Sequence, residues 1–222
     1  MSDFWEKRYL AGHQQRYPWD SVVSFIFRSV PGDCDRSDVS ILEVGFGTGA
    51  NLWFAAREGF RVSGVEAVSA AVEVARSRFA EQGLTGDLRQ GSFTELPFPD
   101  NSFDLIIDRA SLSCCPLPEI EKAINEITRV AKPGARFFFN TYADSHSSAR
   151  SGRDVGGCAR EDITEGNLAG LDRIAFLSAR DVIKLLEPDW HIESMKRLEL
   201  VEMLKPKMDV HAEWRVIAVK LH

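Results

Sequence analysis

Glu43, Gly45, Gly47 and Gly49 alternate within Ile-Leu-Glu-Val-Gly-Phe-Gly-Thr-Gly, residues 41–49, and Glu66 follows 21 residues after Gly45. Glycines at that spacing bare a backbone turn so that a ligand can lie against it. An acid about 20 residues on, at the tip of a neighbouring strand, can accept hydrogen bonds from both hydroxyls of a ribose. Together they point to a cofactor built on adenosine. The third glycine comes two residues after the second, whereas the dinucleotide fingerprint sets it three after and aims a helix N-terminus at a pyrophosphate. That spacing disfavours a nicotinamide dehydrogenase. No Lys follows in the turn, which disfavours a phosphate-cradling loop.

Such a turn must be presented by a buried strand and followed by a helix. Apolar runs place strands near 39–44, 61–66, 87–91, 103–108, 135–141, 190–200 and 213–221, with helices near 50–59, 67–82, 118–132 and 178–186. Pro133 and Gly134 are expected to stop the third of these helices, and Ser178 to cap the fourth. The alternation implies a doubly wound α/β fold with helices on both faces of the sheet. A length of 222 residues, 44% of them hydrophobic, suits one domain over 1–222. Two segments stand outside this frame. Residues 1–31 are rich in aromatics, and 142–175 are dominated by Gly, Ser, Arg and Asp; both are expected to cover the active site. The net charge of −6 offers no bulk attraction for nucleic acid or an anionic membrane. Cys34, Cys114, Cys115 and Cys158 form no Cys-x-x-Cys, no apolar run approaches the ~18 residues of a membrane span, and no metal-ligand spacing stands out. A cytoplasmic protein is the expectation.

Two further stretches bear on family. Leu96-Pro97-Phe98-Pro99-Asp100-Asn101-Ser102-Phe103-Asp104 leads into Leu105-Ile106-Ile107-Asp108, and Glu126-Ile127-Thr128-Arg129-Val130-Ala131-Lys132-Pro133-Gly134 precedes the fifth strand. With the glycine turn and Glu66, these resemble the landmarks of class I S-adenosylmethionine-dependent methyltransferases, in their usual order across residues 41–140. The resemblance implies a seven-stranded sheet of order 3-2-1-4-5-7-6 with strand 7 antiparallel. It also implies S-adenosylmethionine as cofactor, held by Glu43, Gly45, Phe46, Gly47, Gly49, Glu66, Ala67, Ser92, Phe93 and Asp108, with Trp5 and Tyr9 at its methionine end. The family often has Gly-Asp after its third strand; here Gly91-Ser92-Phe93 stands instead, so Ser92 would take over adenine recognition and Phe93 would cover the ring.

A sulfonium methyl is already electrophilic, so the protein must chiefly align it with the acceptor and exclude water. A hydroxyl acceptor also gains from a general base. Residues at the carboxyl edge of the sheet are the candidates: His211 first, oriented by Glu213 two residues on, then His146 and Asp144. Arg150, Arg153 and Arg160, with Lys205 and Lys207, either gather around an anionic acceptor or form a solvated mixed surface with the interleaved acids. Asp108-Arg109-Ala110-Ser111 departs from the Pro-Pro-aromatic form of enzymes that methylate amino groups of nucleic acid or protein. A small-molecule acceptor is therefore expected, with oxygen favoured over nitrogen. The aromatic N-terminal segment and His211-Ala212-Glu213-Trp214 resemble bacterial methyltransferases of sugar or polysaccharide pathways. A non-catalytic cofactor-binding module is the alternative outside enzymes.

Overall fold

The computed structural model describes residues 2–30, 32–204 and 209–222. In chain order the elements are α1 (Ser2–Leu10), α2 (Asp20–Ser29), β1 (Ser40–Val44), α3 (Ala50–Arg57), β2 (Arg61–Glu66), α4 (Ser69–Glu81), β3 (Asp87–Gln90), β4 (Phe103–Arg109), α5 (Leu117–Val130), β5 (Ala131–Ala143), β6 (Arg153–Gly156), β7 (Ala159–Glu161), β8 (Arg173–Leu177), α6 (Ala179–Leu186), β9 (Trp190–Val201) and β10 (Val210–Lys220). Strands β3, β2, β1, β4 and β5 run parallel in that order. Beyond β5 comes antiparallel β10, and β9 closes the edge beyond it. This is the expected seven-stranded order with its last strand reversed.

Successive strand residues feed opposite faces, as a pleated strand demands. Leu42, Ile106, Phe137 and Phe139 pack with α5 and α6 on one side. Ile41, Leu105, Ile107 and Phe138 pack with α2, α3 and α4 on the other. The apolar runs of β1, β4 and β5 are continuous because both faces are buried.

Two differences from the sequence expectation stand out. Residues 142–175 are more ordered in secondary structure than their composition suggests. Strand β8 joins β5 through Tyr142–Phe176 and Ala143–Leu177, and β7 and β6 extend from it as an antiparallel flap. Helix α5 ends at Val130, and Pro133 and Gly134 lie inside β5, where Gly134 takes φ +78° and the register with β4 shifts. There they form an irregularity in the strand rather than the helix stop. The aromatic N-terminal segment contains two helices, of which α2 buries Val22, Phe25 and Ile26. Ser178 does cap α6, through a reciprocal box with Asp181.

Candidate functional site

The glycine turn joins β1 to α3. Gly45 and Gly47 have φ +65° and +54°, a conformation that strains any residue with a Cβ. A Cβ on Gly45 would also collide with the Ser111 side chain, and one on Gly47 would lie 3.1 Å from the Tyr9 hydroxyl. Behind the turn, Ser111 Oγ donates to the Val44 carbonyl at 2.7 Å, tying the end of β1 to the turn after β4.

Two acids frame it. Glu66, at the tip of β2, accepts the Gly47 N–H through Oε2 and the Val68 N–H through Oε1, both at 2.9 Å. Burial raises its pKa, and these backbone donors oppose the rise. Glu43 accepts from Asn51 Nδ2 at 2.7 Å, while its other oxygen is buried with no protein partner. Burial pushes Glu43 up to about 8. The N-terminal segment is tied to the same region: the Trp19 N–H donates to Asn51 Oδ1 at 3.0 Å, and Gln15 and Thr48 exchange two hydrogen bonds.

These groups open onto a cavity of about 540 Å³. One end is walled by Glu43, the glycine turn, Glu66, Ala67, Val68 and Phe93. Trp5, Tyr9, His13, Gln15 and Trp19 form a side. Arg109, Tyr142, Asn167, Leu168, Leu171, Ile174 and His211 form the other end.

At that other end His211 Nε2 lies 3.4 Å from Glu213 Oε2, and its Nδ1 lies 3.0 Å from Asn167 Nδ2 and 3.3 Å from His146 Nε2. His146 accepts the Ser148 N–H at Nδ1, so in its neutral form the proton sits on Nε2 and points to His211. Burial, reinforced by the neighbouring His211, lowers His146 to about 4. Burial alone would raise Glu213. The His211 hydrogen bond and the charges of Arg109 and Arg215 override it and hold Glu213 near about 2.

Residues 41–134 match the methyltransferase domain family. The chain is 32% identical over 122 residues to a probable chloroplastic tocopherol O-methyltransferase of Oryza sativa subsp. japonica, covering 54% of this chain and 33% of that protein. It is 30% identical over 117 residues to a fatty-acid O-methyltransferase of Mycolicibacterium smegmatis, covering 51% and 41%. The chain thus spans less than half the length of these curated relatives. A solved S-adenosylmethionine-dependent methyltransferase of Methanosarcina mazei superposes with a TM-score of 0.73 at 20% identity, over 89% of this chain and 97% of that one. The relatives and solved structures that the chain resembles are predominantly class I S-adenosylmethionine-dependent methyltransferases.

The family's cofactor suits the groups present. Its ribose hydroxyls match the remaining lone pairs of Glu66, and the unpartnered buried oxygen of Glu43 suits its ammonium. Of the residues expected to hold the cofactor, Glu43, Gly45, Phe46, Gly47, Glu66, Ala67, Phe93, Trp5 and Tyr9 line the cavity. Gly49 does not, and serves instead the close packing of α3 on α4, where a Cβ would lie 2.9 Å from Ala75. Ser92 is exposed and bonds Thr94 at 2.7 Å, so it is not on the wall. Asp108 is off the wall too. Its Oδ1 accepts the N–H groups of Ser111 and Leu112 at 2.9 and 3.1 Å and thereby holds the turn after β4. Burial raises it to about 7.

Among the catalytic candidates, His211 alone reaches the cavity. His146 is fully buried behind it. Asp144 is exposed and lines a separate recess of about 300 Å³ with Asp154, Cys158 and Asp181. Arg153 and Arg160 are paired with Glu161 and Asp154, which is the mixed surface; Lys205 and Lys207 lie outside the described residues. Sequence reasoning missed Thr48, Asn51, Tyr142, Asn167, Leu168, Leu171 and Ile174. Tyr142 carried a signal, since it ends β5 at the carboxyl edge. Thr48 stands between two motif glycines and Asn51 just past the last, and the others lie in a segment without periodicity. All four cysteines are free, and no helix among the described residues is long and apolar enough to cross a membrane. No cluster of metal-ligating side chains occurs among the described residues.

Proposed function

We propose that this methyltransferase moves the methyl group of S-adenosylmethionine to an oxygen of a small-molecule acceptor. The observation that carries the reading is one cavity lined both by the glycine turn with Glu66 and by His211. When bound, the cofactor supplies an electrophilic methyl on a sulfonium. Glu66 and the turn hold its adenosine, and Glu43 with the faces of Trp5 and Tyr9 receives its cationic end. His211 is the base. With Nε2–H directed at Glu213, its Nδ1 lone pair takes the acceptor's proton once the acceptor hydroxyl has displaced both donors now on it, the Asn167 amide and the His146 Nε2–H. His146 and Glu213 position the ring and do not touch the acceptor. Side chains between Trp5 and Trp19 and between Tyr142 and Ile174 line the cavity and keep water out.

The tocopherol and fatty-acid relatives are both named as O-methyltransferases, which supports an oxygen acceptor. Tyr142, Leu168, Leu171 and Ile174 favour an aromatic or apolar body over the sugar suggested by sequence resemblance. Calorimetric titration with S-adenosylmethionine, S-adenosylhomocysteine and NADH tests the cofactor. Micromolar binding of the first two and none of the third is expected; binding of NADH alone would overturn the reading. Transfer of labelled methyl to a panel of phenols, fatty acids and sugars then tests the acceptor.

A further inference from the structure

Arg109 is the only Lys or Arg side chain among the described residues that line the cavity. It ends β4, and its guanidinium lies over the Trp19 ring with Cζ 4.0 Å from the centroid, a stacking that fixes the plane of the fork. Its Nε is buried and has no hydrogen-bond partner. A buried guanidinium donor left unpaired is costly unless a ligand completes it.

The charge is also incompletely matched. Glu213 Oε2 is 3.5 Å from Arg109 Nη2, but its Oε1 accepts from Arg215 Nε at 2.6 Å, and His211 shares the same carboxylate at 3.4 Å. One carboxylate thus serves two guanidinium groups and an imidazole. The other acids in the field of Arg109 are Glu43 and Asp108, and burial disfavours the charged form of both. Arg109 thus shares its carboxylate partner with Arg215, and its own Nε is left without one.

We infer that Arg109 reads an anionic oxygen on the acceptor, a carboxylate carried beside the hydroxyl that is methylated. The inference rests on the methyl-transfer reading and names the acceptor class within it: a hydroxylated aromatic or apolar acid. Its carboxylate meets the free edge of the guanidinium while its hydroxyl faces His211 Nδ1, and its apolar body lies along Tyr142 and Leu171. A carboxylate could equally come from the methionine end of the cofactor. The acceptor is favoured because Glu213, which faces the Arg109 guanidinium, also holds His211, whereas Glu43 at the cofactor's ammonium end acts on Arg109 only through its field.

The test is calorimetric titration of the full chain, saturated with S-adenosylhomocysteine, with matched probes: 2-, 3- and 4-hydroxybenzoate and the corresponding hydroxybenzamides. At least one acid should bind about tenfold tighter than its amide, as a charge-assisted hydrogen bond implies. Arg109→Gln should bring that ratio to within about twofold and Arg109→Lys should keep part of it, because the charge survives without the planar fork. Affinity for S-adenosylhomocysteine should be the same in both variants, which also shows that they fold. A variant that loses S-adenosylhomocysteine binding about tenfold would reassign Arg109 to the cofactor's carboxylate and overturn the proposal. No preference for any acid in the parent protein would overturn it as well. Failure of the parent to bind S-adenosylhomocysteine at all would instead defeat the methyl-transfer reading, so the two failures are distinct.

Discussion

Single side chains decide the chemistry at both ends of the cavity. Glu66 holds the Gly47 and Val68 amides while offering its remaining lone pairs outward. Glu66→Ala should weaken S-adenosylhomocysteine binding by about 1–3 kcal/mol, the scale of hydrogen bonds to a charged group. An unchanged Kd in calorimetry would remove Glu66 from the ribose. His211→Ala should lower kcat by about 10²–10⁴-fold while sparing that Kd; undiminished turnover near neutral pH would exclude His211 as the base. His146 shows how far residue type misleads at this scale. From sequence, both histidines fall at the carboxyl edge as candidate bases, His211 ahead of His146. Packing separates them, since the Ser148 N–H and full burial turn one into a support for the other. Asp108 makes the same point: its position after β4 is legible, but the direction of its carboxylate depends on the turn that Ser111 and Leu112 make.

Elements position these side chains, and most were legible. Strands β1, β2 and β4 fall within about a residue of expectation: β1 and β4 are apolar runs buried on both faces, and β2 is marked by Val62 and Val65 ahead of Glu66. The flap of β6 and β7 was not. Its strands are four and three residues long, largely polar, and held by pairing to one another and to β8 rather than by any local pattern. Close approach between elements gives a further test. A Cβ on Gly64, in the middle of β2, would drive into Phe46 and Leu52. Gly64→Ala should therefore destabilise the protein by about 1–3 kcal/mol, the range for overpacking a core. Urea unfolding would measure it, and an unshifted midpoint would show that α3 can ride outward from the sheet.

Across the whole molecule, stability should peak in mild acid, because its buried titrating groups pull in opposite directions. Glu43 and Asp108 rise from 4.5 and 3.8 to about 8 and about 7, so the fold favours their neutral forms. Their penalty is absent below the ordinary values, grows as pH rises toward the folded ones, and is constant above. Glu213 falls from 4.5 to about 2, so its contribution is present above 4.5 and disappears as pH drops toward 2. His146 falls from 6.5 to about 4, and stability is lost as pH drops through that window. Glu43→Gln should raise Tm by several degrees at a pH of about 8.5 and leave it nearly unchanged at about 4.5. An equal shift at both would mean that packing, not charge, sets the effect. One further consequence concerns time rather than affinity. The N-terminal segment walls the cavity, yet it is fastened to the glycine turn and α3 by few bonds, chiefly the reciprocal pair between Gln15 and Thr48 and the Trp19 amide on Asn51. Spent cofactor would then leave only as fast as that strap lifts, so the strap and not the methyl transfer would set the turnover clock. Thr48→Val, which removes the strap's hydroxyl partner but keeps its bulk, should quicken release of S-adenosylhomocysteine in stopped-flow fluorescence, and an unchanged release rate would assign the clock elsewhere.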